Sequence, residues 1–142
     1  MFTKQNLLAT LAGALTMFIL GYVIWGVALV DYYEGHTITN IMKEVPDFGI
    51  LIVSHIIGSF ALSTIYSKWA GGNYGAGSGF SFGLWIGVFA GISYSLLWYA
   101  TSEMMDLTGH LTDAIVNLVF FALVGAVIGI AYKATAPKTA SN

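Results

Sequence analysis

Four stretches of this chain, residues 7–30, 48–66, 80–102 and 114–132, contain no Asp, Glu, Lys or Arg and are long enough to cross a bilayer. About 20 apolar residues at 1.5 Å rise span the roughly 30 Å hydrocarbon core. Backbone groups in lipid must be bonded within the segment, which favours helices. A barrel reading fails because no apolar/polar alternation of period two is present. Composition agrees: 57% of residues are hydrophobic and 8% charged, against about 25% charged in soluble domains. Most of the surface must therefore face lipid. The expected fold class is all-α, a polytopic four-helix membrane bundle forming one domain over residues 1–142. The absence of cysteine excludes disulfides, thiolate metal sites and thiol redox chemistry.

Lys4 followed by an apolar run has the look of a signal peptide. The run is too long for a signal core, however, and is similar to the internal third helix, so an uncleaved first helix is expected. Lys4, Lys68, Lys133 and Lys138 fall at the termini and in the middle loop, and Lys43 alone in the other two loops. The positive-inside rule therefore places both termini in the cytoplasm. The seven acids, Asp31, Glu34, Glu44, Asp47, Glu103, Asp106 and Asp113, all sort to the opposite face. Trp25, Tyr32, Tyr33, Trp98 and Tyr99 are expected as an outer aromatic belt, with Tyr66, Trp69, Trp85 and Tyr132 as the inner one.

The chain also reads as one helical hairpin written twice, over residues 7–66 and 80–132. An offset of 74 pairs Gly13 with Gly87, Trp25 with Tyr99, Gly35 with Gly109 and His36 with His110. An offset of 66 pairs Asp47 with Asp113 and Tyr66 with Tyr132. Copies of a two-span unit point the same way, which predicts parallel repeats about a pseudo-two-fold along the membrane normal.

Small residues let helices approach in lipid. Gly83, Gly87, Gly91 and Ser95 make a seam at four-residue spacing on the third helix, with Gly125 and Gly129 on the fourth and Ser54, Gly58, Ser59 and Ser63 on the second. That pattern places the third helix either at the centre of the contacts or at a dimer interface. The glycine-rich residues 70–79 lie between two membrane helices rather than after a strand, so they are expected as a flexible loop and not a phosphate cradle. Residues 134–142 are expected to be a disordered tail.

Three groups carry candidate chemistry. Asp31, Glu34 and His36 close the first helix, and Glu103, Asp106 and His110 close its repeat partner. Carboxylates with imidazoles suit a divalent cation such as zinc or manganese. The alternative for this rim is a hydrated acidic lip. His55 lies seven residues into the second helix, about 10 Å deep at 1.5 Å per residue, where an ionisable group suggests function by default. It reads either as a proton acceptor or as a buried neutral histidine bonded to Asn117, Ser93 or Thr101. Third, Tyr94, Ser95, Trp98, Tyr99 and Thr101 either line an amphipathic cavity or anchor the belt. Serine–histidine–acid sets, an HExxH motif and basic clusters for nucleic acid are missing, so neither an enzyme nor a nucleic-acid partner is expected, and no cofactor beyond a divalent cation.

The patterns Gly21-Tyr-Val-Ile-Trp25-Gly and Tyr94-Ser-Leu-Leu-Trp98-Tyr, with Tyr132-Lys133 at the end of the last helix, resemble small four-span bacterial membrane proteins grouped as domains of unknown function. The resemblance covers almost the whole chain. It implies a bacterial inner membrane and transfers no site residue. Two readings follow: a protein whose acidic rim binds or conducts a small cation, as a homodimer through the Gly83 to Ser95 seam, or a non-catalytic accessory subunit of a larger membrane complex.

Overall fold

The computed structural model describes residues 2–136. Four of its helices are long and apolar enough to cross a membrane: Lys4–Ala28, Phe48–Trp69, Ala76–Thr101 and Leu107–Thr135. By length and composition the chain is a multi-pass helical membrane protein. Among the described residues the only β pairing is an isolated bridge between Thr37 and Met105.

The first span is α1 (Lys4–Val23) continued by a π-helical segment, Ile24–Ala28. A short α2 (Val30–His36) follows it. The second span is α3 (Phe48–Trp69). The third is α4 (Ala76–Gly87), a π-helical segment Val88–Ser93, and α5 (Tyr94–Thr101). The fourth is α6 (Leu107–Thr135).

The ends are set by local chemistry that hydropathy does not register. Asp47 caps α3 by accepting the Ile50 N–H at 3.1 Å, and Asp106 caps α6 by accepting the Gly109 N–H at 2.8 Å. Both satisfy donors that an opening helical turn leaves without partners. α6 therefore starts seven residues before the expected 114, and Asp113 lies inside a helix rather than in a loop. At the other end Ala134 and Thr135 still belong to α6, while residues 137–142, with Lys138, lie outside the described residues. The expected 70–79 loop is shorter too, because Ala76 to Gly79 already form the first turn of α4. Gly71 and Gly72 take positive φ of 55° and 92°, the left-handed turn that ends α3.

The spans pack in the order second, first, fourth, third. The fourth helix is central, not the third, and it carries the most buried residues. The Gly83 to Ser95 seam is filled from within the chain. A Cβ on Gly79 or Gly83 would collide with the carbonyl of Gly125 or Phe121, one on Gly87 would meet Leu118, and one on Gly91 would meet Asn117. A homodimer through this face would have to displace the protein's own fourth helix.

Tyr66 and Tyr132 are fully buried with ring centroids 5.6 Å apart, so they are core residues and not belt anchors. The Tyr132 hydroxyl lies 2.9 Å from Asn6 Oδ1 at the start of the first span. The Tyr66 hydroxyl lies 2.7 Å from Ser78 Oγ at the start of the third. Each hairpin thus ends on a tyrosine that reaches the opening turn of the other. Elsewhere the two halves differ: the first and fourth spans pack along their length, whereas among the described residues the second and third meet around Tyr66 and Trp69 against Phe82, with Tyr74 of the preceding loop beside them.

Candidate functional site

Seven carboxylates lie toward one end of the molecule, called here the acidic end. Two of the six rim candidates meet there. His36 Nδ1 lies 2.8 Å from Asp106 Oδ2, and the Asp106 N–H donates to the His36 carbonyl at 3.0 Å. Ile38 N–H donates to the Met104 carbonyl at 2.9 Å, and the Tyr32 ring rests 4.5 Å from the His36 ring. These contacts clamp the end of α2 onto the start of α6. The hydrogen bond from His36, then that from the Gly109 N–H, hold the Asp106 carboxyl below the usual carboxylate range. Asp31, Glu34 and Glu103 are exposed and join no ion pair among the described residues. His110 is 1% exposed, faces Tyr99 with ring centroids 5.9 Å apart, and has no hydrogen-bond partner on Nε2 among the described residues. No three His, Asp or Glu side chains come together among the described residues. Four ligands are usual for zinc and six or so for harder cations, and the rim supplies one pair.

The best-connected acid is Asp113, which is not one of the rim candidates and is expected from sequence only among the acids of the outer face. Its Oδ1 accepts the Trp25 indole N–H at 3.0 Å and the Tyr33 hydroxyl at 3.1 Å. Its Oδ2 accepts the Asn117 amide at 2.9 Å and the Ser95 hydroxyl at 3.4 Å. A carboxylate offers about four acceptor positions, so this one is filled by donors and has no free site for a cation. It joins the first, third and fourth spans. Burial, and after it the Asp113 charge, push the Tyr33 hydroxyl well above the ordinary phenol range. Asn117, expected as a partner for His55, instead donates to Asp113. One signal was present in the sequence: Asp113 and Asn117 are four apart on one helical face.

The second span lies against α1 but touches neither the π-helical segment nor α2. Toward the terminal end the pair is close, with Ser59 Oγ donating to the Thr10 carbonyl at 2.7 Å and Asn6 Nδ2 donating to Thr64 Oγ1 at 3.1 Å. Toward the acidic end it opens into a cavity of about 790 Å³. Its walls are largely aromatic and aliphatic, with Phe18, Tyr22, Trp25 and Phe120 among them, and Lys43 and Asp47 lie at its mouth. Trp25 is held there by Asp113 and by an edge contact on Phe120, with centroids 5.2 Å apart.

His55 lines this cavity and is only partly buried. It does not bond Asn117, Ser93 or Thr101. Its Nδ1 lies 2.6 Å from the Leu51 carbonyl of its own helix, and its ring meets Phe18 edge-on at 6.1 Å. Asn117, Ser93 and Thr101 belong to the third and fourth spans, which lie across the first span from α3.

A second, shallower cleft of about 570 Å³ is lined by Trp98, Tyr99, Thr101 and Glu103 with Ile41. Three of the five expected aromatic and hydroxyl residues thus share a cleft, while Ser95 turns to Asp113 and Tyr94 packs on Phe89. The loop between α2 and α3 separates the two hollows, Ile41 facing one and Met42 and Lys43 the other. No family model, curated protein or solved structure matches the chain.

Proposed function

We propose that this is a non-catalytic membrane protein that holds a small amphipathic molecule in the cavity between its first and second spans. The observation that carries the reading is the cavity itself. Its 790 Å³ lies within the roughly 300–1,000 Å³ of small-molecule sites, and its mainly apolar wall with a few polar groups is their usual chemistry. The polar groups are graded along the helix, with charges at the mouth and aromatic rings below. An amphiphile entering from the membrane would orient in the same sense.

The π-helical segment supports this reading, because such bulges concentrate at functional sites. It also ends the contact of the first span with α3. Lysine distribution and the four-span resemblance argue for a bacterial inner membrane, with both termini cytoplasmic and the cavity in the outer leaflet. The paired tyrosines argue for a duplicated hairpin. Cation binding at the rim is the weaker reading, since its candidates supply one histidine–aspartate pair. An accessory role through the glycine seam would need a face already covered by α6.

Gly21 gives a clean test. Among the described residues a Cβ there would meet His55 Nε2 alone, at 3.8 Å, and Gly21 lines the cavity, so Gly21→Leu places its added bulk toward that space. Native mass spectrometry of protein extracted in mild detergent is expected to show a retained amphiphile in the wild type and its loss in the variant. Equal retention by both would sink the reading.

A further inference from the structure

We infer that the occupant of this cavity is a lipid whose acyl chain carries a hydroxyl group part-way along, received by His55 Nε2. The inference rests on the amphiphile reading above and deepens it. The Leu51 carbonyl can only accept a hydrogen bond, so the proton on His55 must sit on Nδ1. The neutral ring then turns Nε2, with its lone pair, toward the cavity and Gly21. His55 makes no second hydrogen bond among the described residues. Phe18, Leu51 and Phe120 line the same wall, and its hydroxyl groups, on Tyr22 and Ser54, make no hydrogen bond to His55 among the described residues. His55 is only partly buried, and an acceptor on a mainly apolar wall gains most from an occupant that brings a donor. A saturated chain brings none, whereas a hydroxyl brings one and keeps the rest of the chain apolar.

The distance fits a chain rather than a headgroup. His55 lies eight residues below Asp47 on α3, about 12 Å at 1.5 Å per residue. At the mouth stands Lys43, the one basic residue at the acidic end, with no acid in ion-pair range among the described residues. Asp47 uses Oδ1 for the Ile50 N–H, and its other oxygen has no hydrogen bond among the described residues. Opposite charges that do not pair with each other suit a zwitterionic headgroup, which presents both signs. A purely anionic head would sit beside Asp47, and a purely cationic one beside Lys43.

The test uses the full chain with Trp69, Trp85 and Trp98 changed to Phe, so that Trp25 in the cavity wall is the only reporter. A phosphatidylethanolamine with brominated chains is bound first, quenching Trp25. It is then displaced by phosphatidylethanolamine with plain chains or with one mid-chain hydroxyl. The hydroxylated lipid is expected to compete about tenfold better, the worth of one hydrogen bond. That advantage should vanish in His55→Leu while thermal stability is kept. Equal competition by the two lipids in the wild type would overturn the hydroxyl inference and leave the cavity reading standing. Absence of saturable quenching, with Gly21→Leu indistinguishable from wild type, would overturn both.

Discussion

Asp113 shows how one residue can settle the arrangement of three helices. Four donors from Trp25, Tyr33, Ser95 and Asn117 converge on its two oxygens. Removing the acceptor strands them together, and hydrogen bonds to a charged group are worth about 1.5–3 kcal/mol. Asp113→Ala is expected to cost about 2–3 kcal/mol in a detergent unfolding titration. Tyr33 reports the same contact through pH. Its folded-state pKa is raised, so its stabilising effect is complete below about pH 10, the unfolded value, and is lost as pH climbs through the folded one. The tyrosinate absorbance of Tyr33 should therefore develop late in the wild type and earlier in Asp113→Asn. Asp106 carries the opposite sign. Its folded pKa is lowered, so its contribution is present above about pH 4 and fades as pH falls below that. Asp106→Asn keeps a capping side chain but loses the charge. Its melting temperature should be the lower one at neutral pH and converge with the wild type in acid. The residue types at this end were legible in the sequence, but their grouping was not. A hydropathy window stops at a carboxylate, so Asp113 read as the edge of a loop when it is the bonded interior of a helix.

At the level of helices, the glycine seam was legible and its partner was not. Four-residue spacing marks a face for close approach, yet the pattern is the same whether that face meets a second copy or a neighbour in the chain. The structure assigns it to α6, where Gly79, Gly83 and Gly125 bring backbone against backbone. A methyl group at Gly83 has only main chain to push against, so Gly83→Ala is expected to destabilise by about 1–3 kcal/mol, as overpacking does. Gly77 stands six residues earlier in the same helix with nothing among the described residues near its missing Cβ. Gly77→Ala should leave stability unchanged or slightly raised, and comparing the two by thermal denaturation separates crowding from helix propensity. The π-helical segments could not be read at all. They change the register of a helix without altering its hydropathy, and only the packed neighbours make the extra residue visible.

Across the whole molecule, the cavity exists because the two hairpins are not packed alike. The fourth span lies along the first, while among the described residues the second meets the third near Tyr66, so one flank of the first span opens toward the acidic end. No local pattern could announce such a gap, since it follows from how the two hairpins dock, the first span against the fourth. What holds the hairpins together is nonetheless specific. Tyr132 reaches Asn6, Tyr66 reaches Ser78, His36 meets Asp106, and Trp25 and Tyr33 share Asp113. Helices that are each stable in lipid associate through such packing and polar contacts, and the 70–75 turn adds little beyond proximity. A chain divided after Gly72 should therefore reassemble. Residues 1–72 and 73–142, co-expressed with a tag on one half only, are expected to co-purify in mild detergent. Asn6→Leu with Tyr132→Phe should weaken the pair, and Asp113→Ala should weaken it further. If the halves copurify as well with all three changes, association must run through the glycine-packed and aromatic surfaces alone, and the polar contacts serve to orient hairpins that would meet without them.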